Sequence, residues 1–550
     1  MMRPRRERSW VVALVAAAPA CLTFAACSSS RDTPVPVADA GADANGVDAA
    51  FSSRGAPQSC ADAARSRSYI GCDYWPTVVA NNVWDIFDYA VIVANGQDQP
   101  VQITITGPVG VSTGGSVPAG GLGKFYLPWV PPLKGESFDE CTSSRQLGSS
   151  VVALGGAYHL ASTLPVSVFQ FNALEYKGAG GSPKKDWSSC PGLRACNDPA
   201  TGKAGTVFGC FSFSNDASLL LPQAAWTGTY RVAGQASMGT GANSLGSYIA
   251  VTASADATTV TVKLPPGQSI LPGGGVEGTT DTVTVRLNAG DVAQLAAPPG
   301  DGHDLSGALV RADKPIQLIS GTPCSVVGDP TVASCDHLEE SVFPAETLGK
   351  HYVVAPPTSP HGNVVGHVVR FFGNVDGTAL RYAPSAPPGC PATLSAGEVV
   401  ECTGAVNQPF EVTGDHEFAV GTYMLSGLYQ NPANTTPSVG DPSQSFAVAV
   451  EQYRAKYIFL APEDYDENWA DVIVPDGATL TIDGAPVAAP VQPIASGFGI
   501  VRHRLARGQG VHTISSTKPV GLEVVGFGAY TSYHYPGGLE LAPIAPAPIK

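Results

Sequence analysis

Residues 158–170 read Tyr-His-Leu-Ala-Ser-Thr-Leu-Pro-Val-Ser-Val-Phe-Gln. Two runs of alternating β-formers flank a polar turn, and Pro165 opens the return run. Alternation at period two marks half-buried strands. Proline is tolerated at a strand's first residue, where the ladder asks no N–H of it. The arrangement recurs at 308–320 (Ala-Leu-Val-Arg-Ala-Asp-Lys-Pro-Ile-Gln-Leu-Ile-Ser) and at 511–524 (Val-His-Thr-Ile-Ser-Ser-Thr-Lys-Pro-Val-Gly-Leu-Glu-Val). A copy lacking the proline occupies 410–422 (Phe-Glu-Val-Thr-Gly-Asp-His-Glu-Phe-Ala-Val-Gly-Thr). A second motif opens the later copies: Tyr230-Arg-Val-Ala, Tyr352-Val-Val-Ala-Pro and Tyr457-Ile-Phe-Leu-Ala-Pro, with Tyr74 a looser match.

Internal repetition of this kind predicts an array of like units. The organisation expected is a signal segment at 1–26, a tether at 27–68, and β-units at 69–214, 215–339, 340–444 and 445–550, the last with a Pro-rich tail. The fold class is all-β, in about four tandem β-sandwich-like units, because a sheet must bury one face. A β-propeller-like ring or one continuous β-assembly is the alternative. Composition agrees. Gly and Pro number 62 and 47 in 550 residues, which excludes long helices. Apolar residues at 44% exclude bulk disorder.

Three stretches of the sequence carry a resemblance. Tyr69-Ile-Gly-Cys-Asp-Tyr-Trp-Pro-Thr, the 157–172 stretch and Asn215-Asp-Ala-Ser-Leu-Leu-Leu-Pro resemble the IgG-Fc-binding protein N-terminal domain family, in a bacterial, myxobacteria-like secreted lipoprotein form. The likeness spans most of 69–530 and lies in strand and turn scaffolding. It implies binding and carries over no catalytic residue and no Fc contact.

The N-terminus reads as an export signal: Arg3, Arg5, Arg6 and Arg8 precede an apolar run from Trp10 to Ala26. Phe24-Ala-Ala-Cys27-Ser resembles a lipobox, which makes Cys27 the lipid-attachment residue and places the chain at the outer membrane or cell surface. Without lipobox processing the chain is secreted. Contact with the membrane is expected through the lipid anchor alone, since about 17 residues fall short of the roughly 20 a span needs. Losing 1–26 removes four arginines and one glutamate, so the net charge of −15 becomes −18. Such a surface repels phosphate backbones, which argues against nucleic-acid partners.

Ten further cysteines in an oxidising compartment predict disulfides. Local spacing pairs Cys60 with Cys72, Cys190 with Cys196, Cys324 with Cys335 and Cys390 with Cys402, leaving Cys141 and Cys210. The set Cys141, Cys190, Cys196 and Cys210 allows three connectivities.

Candidate chemistry is sparse. Gly110-Val-Ser-Thr-Gly114 matches a nucleophile-elbow string, but glycines rather than a helix follow, which reads as a hairpin turn. Asp336-His-Leu-Glu-Glu340 reads as a solvated loop beside the Cys324–Cys335 staple. His361 and His367 are expected at the two ends of an extended segment, too far apart to share a metal. Glu463, Asp464, Asp466, Glu467 and Asn468 offer oxygens suited to calcium, weighed against an ordinary solvated loop. Tyr74, Trp75, Trp84, Phe87, Tyr89 and Trp129 form either a core or an exposed platform. The expectation is a non-catalytic surface lipoprotein that binds or adheres to an extracellular protein or glycan, with no cofactor unless calcium. The alternatives are an envelope-polymer hydrolase with its site between units and a calcium-dependent adhesin.

Overall fold

The proline-centred repeats become the structural spine of the molecule. In the computed structural model, which describes residues 57–135, 147–190, 196–197, 204–205, 210–239, 245–328, 335–430, 438–494, 497–507 and 510–548, each unit is built on one long, bent strand. The first unit has β1 (His159–Asn172) followed by β2 (Ala217–Leu220). The second has β3 (Leu309–Ser325) and β4 (Asp336–Ser341). In the third the long element is split into β5 (Phe410–Gly414) and β6 (Phe418–Met424), followed by β7 (Gln444–Phe446). The fourth has β8 (Val511–Gly528) and β9 (Thr531–Pro536). Cys27, the segments 1–26 and 27–56, and Cys141 lie outside the described residues, as does the side chain of Cys196.

Each long strand changes partners at its proline. The first half of β1 pairs with Val101–Thr106 and Gly71–Tyr74; its second half pairs with Tyr89–Ala94 and β2. β3 does the same with Thr258–Lys263 and Thr227–Arg231, then Tyr248–Ala253 and β4. β8 repeats it with Leu480–Ile482 and Arg454–Leu460, then Glu467–Pro475 and β9. In the third unit, where Glu417 stands in the proline's place, β5 and β6 sit in two separate four-stranded sheets. Every unit is thus an outer and an inner antiparallel sheet, all-β as the alternation implies. Burial follows the switch. β3 runs half-exposed up to Lys314 and Pro315 and is wholly buried from Ile316 onward.

The tyrosine motif explains how the switch is held. Tyr74, Tyr230 and Tyr352 donate their hydroxyls to the carbonyls of Val166, Ile316 and Phe418 at 2.7, 2.6 and 2.5 Å, and Tyr457 does so to Val520. The N–H groups of Thr227, Gly349 and Arg454, three residues before their tyrosines, donate back to the hydroxyl. In units one, two and four these contacts bridge the register break opposite the proline. A buried backbone group left unpaired costs about 1–3 kcal/mol, so a ring that supplies both hydrogen bonds suits the site.

The units close on themselves. β2 touches β4, β4 touches β7, β7 touches β9, and β9 touches β2. Residues 48–550 form one compact unit. Strands also cross the expected boundaries: β2 follows residue 214 yet completes the first unit's inner sheet, and Val151–Ala153 adds to the second unit's sheet at Val292–Ala296. Ser68 bridges Glu540, and Tyr69 N–H donates to the Leu539 carbonyl, joining the first and last units.

Disulfides join Cys60–Cys72, Cys324–Cys335 and Cys390–Cys402. Cys190 pairs with Cys210 and not with its near neighbour Cys196. The reason is spatial: Gly178 N–H bonds the Cys210 carbonyl and Lys177 bridges Phe211, which carries 210 back beside 190. Asp336–Glu340 forms the buried strand β4 and not the solvated loop that its charge suggests. His361 lies in a short turn at 360–362 and His367 begins the strand His367–Gly373, so no strand spans 363–366.

Candidate functional site

Two acidic regions concentrate the chemistry of the molecule. The first is the hub where β2, β4, β7 and β9 meet. Asp216, just before β2, accepts N–H bonds through Oδ2 from Glu339 (3.2 Å) and Gln444 (3.0 Å). Its Oδ1 accepts from Ala217 at 2.9 Å. Asp336 accepts from the N–H groups of Asn215 (2.5 Å) and His337 (2.8 Å), and from the Thr531 hydroxyl (3.1 Å). Glu339 accepts from Asn172 Nδ2 (2.5 Å) and Ser218 Oγ (3.0 Å). Each acid therefore reaches out of its own unit, and together they tie all four. Asp216, Asp336 and Glu340 are fully buried, and no Lys or Arg pairs with them among the described residues. Burial pushes all three well above the usual carboxylate range, and neighbouring acids add to it. The hub fastens the ring.

The second region is a cleft of about 430 Å³ between the first and last units. It is lined by Glu175, Tyr176, Lys177, Ala179, Gly180, Glu463, Asp464 and Arg507. Here lies the acidic run, and the structure distributes it over three environments. Asp464 meets Lys124 at 2.6 Å, with Glu463 3.7 Å from the same amine. Asp466 accepts from Tyr176 Oη (2.7 Å) and Arg507 (2.6 Å). Glu467 opens the strand Glu467–Pro475 and takes the ring and backbone N–H of His361 (2.7 and 2.9 Å), while Asn468 accepts from Tyr533 at 2.7 Å. The residues are turned toward different cations and hydroxyls rather than toward one point. No group of three or more His, Cys, Asp or Glu placed to hold a metal exists among the described residues.

Glu175 was not singled out by sequence, although it precedes the glycine-rich stretch 178–182. It is 2% exposed, at the cleft floor. Its Oε2 accepts the Asp88 N–H at 2.8 Å, while Oε1 has no hydrogen-bond partner among the described residues. Lys185 Nζ stands 2.8 Å from Asp88 and 3.8 Å from Glu175 Oε1. Burial pushes the Glu175 carboxyl up to about 8, with Lys185 opposing that rise and Asp88 adding to it. Gly180 and Gly181 have φ of 80° and 86°, and a Cβ on Gly181 would collide with Glu175 Oε1. Glycine is what lets this loop pass over the carboxyl.

The remaining candidates have structural places. Ser112 starts the exposed strand Ser112–Val117, the return arm of a hairpin with Val101–Thr106. Tyr74, Phe87 and Tyr89 are buried, and Trp75, Trp84 and Trp129 pack half-buried against the same cores. They form no exposed platform.

Similarity to known proteins runs along the same residues. The family model described as IgGFc binding protein matches residues 216–526, more than half of the chain. The human IgGFc-binding protein is 28% identical over 275 residues, which cover 48% of this chain and 5% of that protein's length. Among solved structures, an anti-sigma factor domain-containing protein from Clostridium clariflavum is 13% identical, covers 57% of this chain and 82% of its own, and has a TM-score of 0.11. A tetra-tandem repeat from the extending region of a large adhesion protein is 10% identical over 86% of this chain and 99% of its own, with a TM-score of 0.09. Scores at this level describe no shared architecture. The matched segment holds the hub acids Asp216, Asp336, Glu339 and Glu340, and three of the four tyrosine locks. The chain belongs to the IgGFc-binding protein family.

Proposed function

We propose that this chain is a non-catalytic binding protein of the cell surface, lipid-anchored through Cys27, whose four-unit ring presents a contact face to an extracellular protein. The observation that carries the reading is the family match over 216–526. The small residues of 27–56 suit display away from a membrane, whereas the rest of the expected tether is folded: Cys60–Ser66 is a helix held by the Cys60–Cys72 disulfide, and Ser68 bridges Glu540. The test uses whole cells. Surface labelling and membrane fractionation are expected to find the wild-type chain anchored and Cys27→Ala released; equal release of both overturns the anchor. Cells with and without the chain are then compared for retention on surfaces coated with IgG Fc fragment or with the cells' own secreted proteins. Greater retention by cells carrying the chain supports the binding role, and equal retention on both coatings overturns it.

A second reading, hydrolysis of an envelope polymer, draws on the inter-unit cleft with Glu175, Glu463 and Asp464 in its wall. It predicts release of reducing ends from purified envelope polymer by the wild-type chain.

A further inference from the structure

We propose that Lys185 and Asp88 are the two halves of a self-formed isopeptide cross-link, an amide joining Nζ to Cγ, with the Glu175 carboxyl as the proton-transfer group beside them. This is a modification of the chain itself and goes beyond the binding reading.

The three residues converge from three segments. Asp88 immediately precedes the strand Tyr89–Ala94, Glu175 follows the end of β1, and Lys185 is carried by the loop that ends at Cys190. Backbone hydrogen bonds fix the frame. Leu174 N–H donates to the Asp88 carbonyl at 3.0 Å, Asp88 N–H to Glu175 Oε2 at 2.8 Å, and Ser182 N–H to Asp88 Oδ2 at 3.1 Å. The Cys190–Cys210 disulfide holds the far end of the loop. Reactants held this way need no encounter, which lowers the barrier to bond formation.

Lys185 Nζ is out of solvent, 2.8 Å from Asp88 Oδ1 and 3.8 Å from Glu175 Oε1. The first distance leaves the amine at most one carbon–oxygen bond farther from Cγ. Yet Nζ has no aligned hydrogen bond among the described residues. The Trp187 ring lies over it at 4.5 Å, and Phe87 packs 5.3 Å from Trp187. At Gly181 a Cβ would meet Glu175 Oε1 and Lys185 Cδ at 2.3 and 2.7 Å, so only glycine lets the loop close over the pair. A buried charge without good hydrogen bonds is costly, and amide formation removes both charges.

The step balances without a co-reactant. Lys185 passes one proton to the Asp88 carboxylate, leaving a neutral amine and a neutral acid, the forms that burial favours. The nitrogen lone pair forms the bond to Cγ. Glu175 relays a second proton from nitrogen to the Asp88 hydroxyl, the C–O bond breaks, and water leaves. Ammonium and carboxylate thus become amide and water, and Glu175 ends as it began. The Asp88 side chain, 22% exposed, gives the water its exit.

Lys124 provides the contrast. It stands 2.6 Å from Asp464 and 3.7 Å from Glu463, nearly the same distances, but the Glu463 side chain is 57% exposed. Water stabilises those ions, and the pair stays ionic. Burial rather than distance selects Lys185. The product fastens the loop onto the first unit's inner sheet and, unlike the neighbouring disulfide, survives reduction.

The experiment is peptide mapping by mass spectrometry of the full chain, reduced, alkylated and digested with trypsin. The peptides holding Asp88 and Lys185 are expected as one branched species weighing their sum less one water, with Lys124 recovered unlinked. Lys185→Arg, which keeps the charge but cannot condense, is expected to yield no branched species. Glu175→Gln, followed in timed cell-free synthesis under oxidising conditions, is expected to form the link at least about a hundredfold more slowly. Formation of the Cys190–Cys210 disulfide in each variant reports that the loop has folded. Separate Asp88 and Lys185 peptides from the wild type overturn the proposal. So do a branched species in Lys185→Arg and linkage of Glu175→Gln at the wild-type rate. Retention of cells on coated surfaces is read separately, so the cross-link and the binding role fail independently.

Discussion

The hub and the cleft hold carboxylates at similar density and treat them in opposite ways. At the cleft, Asp464 and Asp466 face Lys124 and Arg507, and the ions remain partly in water. At the hub, Asp216 and Asp336 are fully buried and face backbone N–H groups from neighbouring units and a threonine hydroxyl. Charge pairing near a surface contributes little, because solvent already stabilises each ion and salt screens the pair. A buried acid that accepts several N–H bonds is different. Its loss strands donors that have no water to turn to. The comparison teaches that acidic density says little about role; what faces each carboxyl decides it.

The largest test is Asp216→Ala. It strands the N–H groups of Ala217, Glu339 and Gln444, and is expected to cost about 3–5 kcal/mol in denaturant unfolding. A cost below about 1 kcal/mol would break the contrast.

Next is Glu340→Gln. Burial raises the folded-state value of Glu340, so the unfolded chain loses this proton at lower pH than the folded one. Wild-type stability therefore declines as pH rises from about 4 toward the folded-state value. The amide carries no such liability. Glu340→Gln is expected to match the wild type at pH 4 and to exceed it by about 1 kcal/mol or more at pH 8, where each unit of mismatch counts about 1.4 kcal/mol. A stability gap that does not grow with pH removes the hub's special status.

At the cleft, Asp464→Asn is expected to cost about 0.5–1 kcal/mol at low salt and less at about 1 M salt, read by thermal unfolding. A loss as large as that of Asp216→Ala would make the two regions alike. The smallest expected effect is that of calcium. At about 5 mM, above the affinities of extracellular calcium modules, it should leave Tm within about 1 °C, because the acids of 463–467 already face Lys124, Arg507 and His361. A clear rise would restore calcium-dependent adhesion.

Much of the fold was legible residue by residue. Pro165, Pro315 and Pro519 read as opening return strands after a polar turn; the structure corrects this, since each lies inside one continuous strand that changes sheets there, because the residues on its two sides pair with different neighbours. Tyr230, Tyr352 and Tyr457 were visible as a motif, but their purpose was not, because their carbonyl acceptors lie 63 to 86 residues away. The run 336–340 was misread because charge is an average indicator of exposure, and its partners Asn215, Asn172 and Thr531 are remote in the chain. The available signal was an aspartate at or just before the start of each hub strand in the first three units: Asp216 one residue before β2, Asp336 opening β4 and Asp441 three residues before β7. Glu175 had no local sign except the glycines after it.

Sequence alone determined the all-β class, the repeated proline and tyrosine motifs and three of the disulfide pairs, because each depends on residues a few positions apart. Alternation and turn glycines act at that range. Tertiary structure decided the closure of the ring, the Cys190–Cys210 pairing, the buried acidic hub and the ion-paired cleft. These rest on desolvation and on hydrogen bonds between distant segments, and the free energy of a carboxyl is set by what surrounds it in space rather than by its neighbours in the chain.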